Sequence, residues 1–208
     1  MTQAVPVSEA GTSQAEVFPV PEAFAKTAHC DAAKYQEMYR RSLDDPEGFW
    51  REHAERLDWI EFPTRIKDVD YNDNARIRWY ENGVLNASVN CIDRHLKARG
   101  DQTAILWEGD DPAVDKKITY RELHTQVCKL ANVLKELGVK KGDRVTIYMP
   151  MIPETAYAML ACARIGAIHS VVFGGFAANE LAQRIQHAAP RVVVSASCGL
   201  EPGRVVPY

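Results

Sequence analysis

Two glycines stand where an apolar run gives way to an amphipathic one. In "AIHSVVFGGFAANELAQRI", residues 167 to 185, Gly174 and Gly175 follow a stretch that reads as a strand and precede one that reads as a helix. Lacking a Cβ, a glycine lets a ligand approach the backbone closely. The first amides of a helix have no partner inside it and carry a partial positive charge. A glycine pair at the carboxyl end of a strand therefore suits a polar or anionic ligand. It also suits a tight strand-to-helix turn with no ligand, and spacing alone leaves both readings open. The chain has no GxGxxG after a strand and no GxxxxGK[ST], which excludes the usual dinucleotide and nucleoside triphosphate loops.

Other reactive side chains give weaker signals. His169 sits inside the apolar run, where it could line a site, but no carboxylate or second histidine is spaced near it, and a hydrogen-bonded histidine in a buried strand is expected. The five cysteines, Cys30, Cys91, Cys128, Cys162 and Cys198, form no CxxC pair, so neither a disulfide framework nor a zinc site is indicated. Cys128 and Cys162 fall in apolar helical patterns and are expected in the core. Asp110 to Pro112 reads as a hairpin turn, not a metal site. Lys140, Lys141 and Arg144 flank a Gly-Asp turn and are expected to be solvated. Trp50, Trp59, Trp79 and Trp107 are expected to be packing anchors.

The elements that must position these residues change character along the chain. Residues 1–20 lack periodicity and read as a disordered tail. Residues 21–87 form a helical and irregular segment. Within it, "DAAKYQEMYRRSL" spaces Tyr35, Met38, Tyr39 and Leu43 for one helix. "DDPEGFWREHAERL" gives a second, with Asp45 as N-cap, Pro46 in the first turn, and Phe49, Trp50 and Leu57 facing inward. Residues 59–86 read as an irregular aromatic wrap with a turn at Asn82-Gly83.

From Ser88 to Tyr208 helices and strands alternate, which predicts an α/β fold with a mainly parallel sheet and covering helices. A helix closes at Gly100, a strand covers "TAILWEGD", and a long helix opens on the capping-box pair Thr119 and Glu122. That helix carries Leu123, Val127, Leu130, Leu134 and Leu137 on one stripe and stops at Gly138. Then come a strand at "DRVTIYM", a helix from Pro153 to Gly166, the strand before Gly174, another helix, and a strand at "RVVVSA". The closing "SCGLEPGRVVPY" supplies no helix to cover that strand, so the chain is expected to be an incomplete N-terminal portion of a larger domain.

Composition narrows the function. With 208 residues, 46% hydrophobic and 25% charged, the chain can build a sizeable core, and its net charge of −3 offers no general attraction to nucleic acid or anionic membrane. The most apolar stretch, residues 149–172, is interrupted by Pro150, Pro153, Glu154, Arg164 and His169, so no membrane span is expected. No basic region followed by an apolar core opens the chain. A cytoplasmic location is expected.

The segments "DPEGFW", "CIDRHL", "WEGDDP", "ITYREL", "ANVLKELGVKKGDRV" and "YMPMIPETAYAMLACARIGAIHSVVFGGF" closely resemble, in order, the N-terminal part of acetyl-coenzyme A synthetases, which are adenylate-forming acyl-CoA ligases. The resemblance runs from about Tyr35 to Tyr208. It implies two half-reactions: a carboxylate attacks ATP to give an acyl-adenylate and pyrophosphate, and the coenzyme A thiol then displaces AMP. It implies coenzyme A and ATP as co-substrates, with magnesium, and acetate or propionate as the acid. Gly174 and Gly175 match a glycine pair lining the coenzyme A site. Glu201, Pro202, Gly203 and Arg204 match a turn that holds the 3′-phosphate end of coenzyme A, where a guanidinium can fork onto phosphate oxygens.

"SCGLEPGRVVPY" departs from the acetate pattern, which carries a second arginine where Glu201 stands, and resembles the propionyl-CoA synthetase branch, whereas "YQEMYRRSLDDPEGFWREHAERLDWI" resembles the acetyl branch. The resemblance implies that the phosphate loop, ribose-binding aspartate, hinge and catalytic lysine belong to parts these 208 residues do not contain. ATP and magnesium sites and catalytic residues are therefore expected to be absent, and the chain alone inert. A non-catalytic remnant or a module binding coenzyme A or a full-length partner is the alternative.

Overall fold

The computed structural model describes residues 18–208 apart from Asp73, Phe176 and Pro202. The chain divides into two compact units, one ending at Trp50 and one running from Arg51 to Tyr208.

The first unit contains α1 (Glu22–Thr27), α2 (Ala32–Asp44) and the start of α3 (Pro46–Ala54). Asp31 caps α2 by accepting from the Lys34 amide at 2.8 Å, and Asp45 caps α3 by accepting from the Gly48 amide at 3.0 Å. The expected helices are present, but their apolar stripes are not covered. Tyr35, Tyr39 and Leu43 are more than half exposed, and the two tyrosine rings stack on each other at 6.1 Å. Phe49 is buried, whereas Trp50 and Leu57, expected to face inward, are exposed. Leu57 falls off the stripe because α3 ends at Ala54 and the chain turns there, the Leu57 amide bonding to the Ala54 carbonyl at 3.1 Å.

In the second unit, the stretch expected to be irregular contains an antiparallel hairpin, β1 (Lys67–Asp70) with β2 (Arg76–Trp79). Its strands are short, largely polar and half-exposed, so no apolar alternation announces them. The Asn82-Gly83 turn is present, the Gly83 amide bonding to the Tyr80 carbonyl. Trp59 anchors this region through its indole N–H to the Ala54 carbonyl at 2.8 Å and its ring against Phe62 and Tyr80. The helix expected before Gly100 opens with a π-helical turn, Val89–Asp93, that runs into α4 (Arg94–Arg99).

An antiparallel hairpin of β3 (Thr103–Glu108) and β4 (Asp115–Thr119) follows, with its turn over Asp110 to Pro112 as expected. Thr119 and Glu122 then complete a capping box at the head of α5 (Tyr120–Glu136). Leu123, Val127, Ala131 and Leu134 are buried, and Gly138 takes the left-handed conformation that lets the helix stop. Leu137, expected on the buried stripe, is exposed because it is the C-cap and its backbone has left helical geometry.

The parallel sheet has the order β6 (Ile168–Phe173), β5 (Arg144–Met149), β7 (Val192–Ser195), joined by α6 (Pro153–Ile165) and α7 (Ala178–Ala188). Val145 to Met149 of the central strand are all buried. Val145, Ile147 and Met149 pack with Ala158, Ala161 and Cys162 of α6 and with the buried face of α5. The steps from β5 to β6 and from β6 across to β7 run in opposite directions. Right-handed crossovers then require α6 and α7 on opposite faces.

In the strand before Gly174 only Val172 is buried. β6 is an edge strand of the described sheet, and Ile168, His169, Val171 and Phe173 are exposed, so the expected core histidine is a surface histidine. Side chains on both faces of this outer strand are left largely uncovered by the described elements. Arg144 is exposed, as expected, and donates from Nε to the Ala188 carbonyl (2.9 Å) and from Nη2 to the Ala189 carbonyl (3.1 Å), closing the C-terminus of α7. A third antiparallel hairpin, β8 (Cys198–Glu201) with β9 (Arg204–Pro207), ends the structure.

Candidate coenzyme site

Adjacent parallel strands whose following loops leave toward opposite faces open a crevice at their carboxyl ends, and β5 and β6 are such a pair. The loop after β5 is Pro150 to Ile152, and the loop after β6 carries Gly174 and Gly175. Neither glycine has a positive φ, so conformational freedom does not explain them. Close approach does. A Cβ built on Gly174 would lie 2.5 Å from Tyr208 Oη and 3.0 Å from the Met149 backbone, and one on Gly175 would lie 2.6 Å from the Phe173 ring. Gly174 is buried and Gly175 is exposed. Beyond them α7 is N-capped by Ala177 with no side-chain cap, and the Ala177 carbonyl accepts from the Glu180 and Leu181 amides.

Glu201 and Arg204 are paired across the tip of the β8–β9 hairpin, and Gly203 between them has φ +77°. Pro202 lies outside the described residues. Arg204 donates from Nε to Glu201 Oε2 at 2.6 Å, and its Nη2 reaches the same oxygen at 2.5 Å. One edge of the guanidinium is thus held, while the side chain remains 70% exposed. The carboxylate fixes the direction of the arginine and leaves Nη1 without a partner among the described residues.

The hairpin tip borders a groove of about 830 Å³ whose other walls are the end of the β3–β4 hairpin and the loop after β5. Trp107 ties those two walls together, its indole N–H donating to the Met151 carbonyl at 2.7 Å. The groove is lined by Glu108, Asp110, Asp111 and Glu201 as well as by Arg204. A polyanion is repelled by the four carboxylates, so only the outer edge of Arg204 favours a phosphate. Glu201, Gly203 and Arg204 line this groove and Gly174 and Gly175 do not; Tyr208 stands against Gly174. The tyrosine ring also packs on Tyr148 at 5.0 Å, and desolvation raises its phenol above the ordinary range.

A polar network escaped the sequence reading. Arg164 of α6 forms a two-pronged pair with Asp93, Nη1 to Oδ2 at 2.7 Å and Nη2 to Oδ1 at 2.6 Å. It also meets the buried Ser88 hydroxyl at 3.3 Å and His124 Nε2 at 3.2 Å. The arginine holds the Asp93 carboxyl below the usual range, and burial pushes the Cys162 thiol up to about 11. The available signal was an arginine in a helix of small apolar residues, opposite an aspartate 71 positions earlier. Among the described residues no group of three metal-ligating side chains is placed to hold a cation, so none is assigned to magnesium.

Residues 92–205 match the family model described as AMP-binding enzyme. The chain belongs to the AMP-binding enzyme family. Its earlier residues, 35–91, match the acetyl-coenzyme A synthetase N-terminus. Among curated relatives, the chain is 63% identical over 193 residues to an acetyl-coenzyme A synthetase of Bradyrhizobium sp. (strain ORS 278) and 61% identical over 193 residues to one of Parvibaculum lavamentivorans. One from Syntrophobacter fumaroxidans is 58% identical over 191 residues. These matches cover 92% of the chain, which spans about 30% of the length of the relatives. The α/β architecture with its parallel sheet agrees with this family membership, and no described helix is long and apolar enough to cross a membrane.

Proposed function

We propose that this chain carries the coenzyme A-binding portion of an ATP-dependent, AMP-forming short-chain acyl-CoA synthetase acting in the cytoplasm. The observation that carries the reading is sequence identity of 58–63% to acetyl-coenzyme A synthetases, held across 92% of the chain. In that reaction acetate attacks the α-phosphorus of ATP and expels pyrophosphate. The coenzyme A thiol then attacks the acetyl carbon and expels AMP. Arg204, steadied by Glu201 at a tight hairpin tip, offers its free edge to the 3′-phosphate of coenzyme A, and Gly203 keeps the backbone clear for it. Gly174 and Gly175 shape the crevice end through which the thiol arm passes. Magnesium would accompany ATP, outside these residues.

A second reading, propionate as the acid, rests on the resemblance of the closing residues to the propionyl-CoA synthetase branch; Glu201, paired with Arg204 at the proposed coenzyme contact, does not itself select the acid.

The test joins this chain in frame to the part of the Bradyrhizobium sp. relative beyond the matched residues and measures carboxylate-dependent AMP formation. With coenzyme A, Arg204→Ala raises KM about 10- to 100-fold, the scale of a charge-assisted contact of ~1.5–3 kcal/mol. With dephospho-coenzyme A, which lacks the 3′-phosphate, parent and variant behave alike. Equal loss for both coenzymes overturns the assignment of Arg204. Acetate and propionate compared in the same assay decide the acid.

A further inference from the structure

Tyr208 is held by two glycines that belong to different elements. A Cβ on Gly174, after β6, would lie 2.5 Å from its Oη and 2.9 Å from its Cζ. A Cβ on Gly199, within β8, would lie 2.6 Å from the same oxygen and 3.2 Å from the same carbon. Both distances to Oη are shorter than any real carbon contact, so the phenol occupies space that only glycine leaves at either position. Gly174 and Gly199 are both buried. The ring packs against Tyr148 of the central strand at 5.0 Å, and the Tyr208 amide adds a hydrogen bond to the Ser197 carbonyl just beyond the β8–β9 ladder. On the hairpin, Leu200 and Val205 are exposed at 71% and 63%. The hairpin therefore gains little attachment from those apolar side chains.

We infer that Tyr208 is a positioning residue: seated between Gly174 and Gly199 and against Tyr148, it fixes the β8–β9 hairpin, and with it Arg204, to the carboxyl edge of the sheet. Gly174 is glycine first to seat this ring. The consequence for coenzyme binding rests on the reading of Arg204 given above, whereas the seating of the hairpin does not.

The experiment uses the 208-residue chain. Hydrogen exchange is followed at the hairpin amides in wild type, Tyr208→Phe and Tyr208→Ala. Tyr208→Phe keeps the ring and exchanges like wild type, while Tyr208→Ala exchanges at least about tenfold faster at β8 and β9, with the α5 amides unchanged. Unchanged hairpin exchange in Tyr208→Ala overturns the inference.

Thermal melts of a double-mutant cycle supply a second readout. Gly174→Ala lowers Tm by several degrees more when Tyr208 is present than in the Tyr208→Ala background, because the clash needs both groups. Equal losses in the two backgrounds assign Gly174 to something other than Tyr208 and overturn that half. Titration with coenzyme A and dephospho-coenzyme A completes the set. Tyr208→Ala reduces the preference for coenzyme A about tenfold and Tyr208→Phe retains it. If wild type itself shows no preference between the two coenzymes, the Arg204 reading fails, and exchange and the melting cycle still decide the role of Tyr208.

Discussion

Arg164 and Asp93 show how a single pair can join elements that the chain separates. Their side chains are 20% and 27% exposed, and each makes two charge-assisted bonds to the other. Replacing Asp93 with Asn leaves the guanidinium short of its counter-charge and is expected to cost about 1.5–3 kcal/mol, read from urea unfolding at pH 7. The pH dependence has a definite sign. Because the folded state holds the Asp93 carboxyl below its ordinary value, the contribution is fully present above about pH 4. It is lost as pH falls through the depressed folded value. The stability gap between wild type and Asp93→Asn should therefore shrink as pH falls below about 4. A gap that widens below about pH 4 would contradict the pairing.

At the scale of elements, α5 has its start written into four residues. The Glu122 amide donates to Thr119 Oγ1 at 3.2 Å, and the Glu122 carboxylate accepts from the Thr119 amide at 2.8 Å. The Thr119 amide and, at 2.9 Å, the Thr119 hydroxyl both donate to the Glu122 carboxylate and hold it below its usual range, the backbone bond contributing most. Thr119→Ala removes the cap from a helix whose buried face lies in the main core, and a drop in Tm of about 2–4 °C is expected. Thr119→Ser keeps the acceptor and should melt within about a degree of wild type. The elements at the candidate site are less self-sufficient. β8 and β9 are four residues each, and a two-stranded hairpin of that length is marginal without packing against something else.

For the whole molecule, the question is how much of an adenylate-forming reaction 208 residues can support. The chain contains no glycine-rich nucleoside triphosphate loop of the usual kind. Nor do the described residues gather three metal-ligating side chains. Stabilising charge on a transferring phosphoryl group is usually the largest catalytic contribution, and the chain spans only about 30% of the length of its relatives. Expressed as these 208 residues, the protein should release no pyrophosphate from ATP in the presence of acetate or propionate, measured by a coupled pyrophosphate assay. Carboxylate-dependent release above a mock preparation would overturn this expectation. Both outer strands of the described sheet also carry exposed apolar residues, including Val171, Phe173 and Val193.

Local signals in the sequence determined much of this. The capping box at Thr119, the stop at Gly138, the turn at Asp110 to Pro112 and the α/β alternation rest on contacts within a few residues, and propensity and periodicity report such contacts directly. The glycine pair and the Glu201 to Arg204 turn were legible as motifs through resemblance to a family, while their partners were not. Only the tertiary structure decided that β6 lies at an edge, which turned His169 from an expected core residue into an exposed one. Only it brought Arg144 to the end of α7 and Arg164 to Asp93, contacts 44 and 71 residues apart that leave no periodic trace. The same holds for Tyr208 against Gly174. A glycine required by close approach looks in sequence like one required by a turn, and the group that approaches it is known only once the chain has folded.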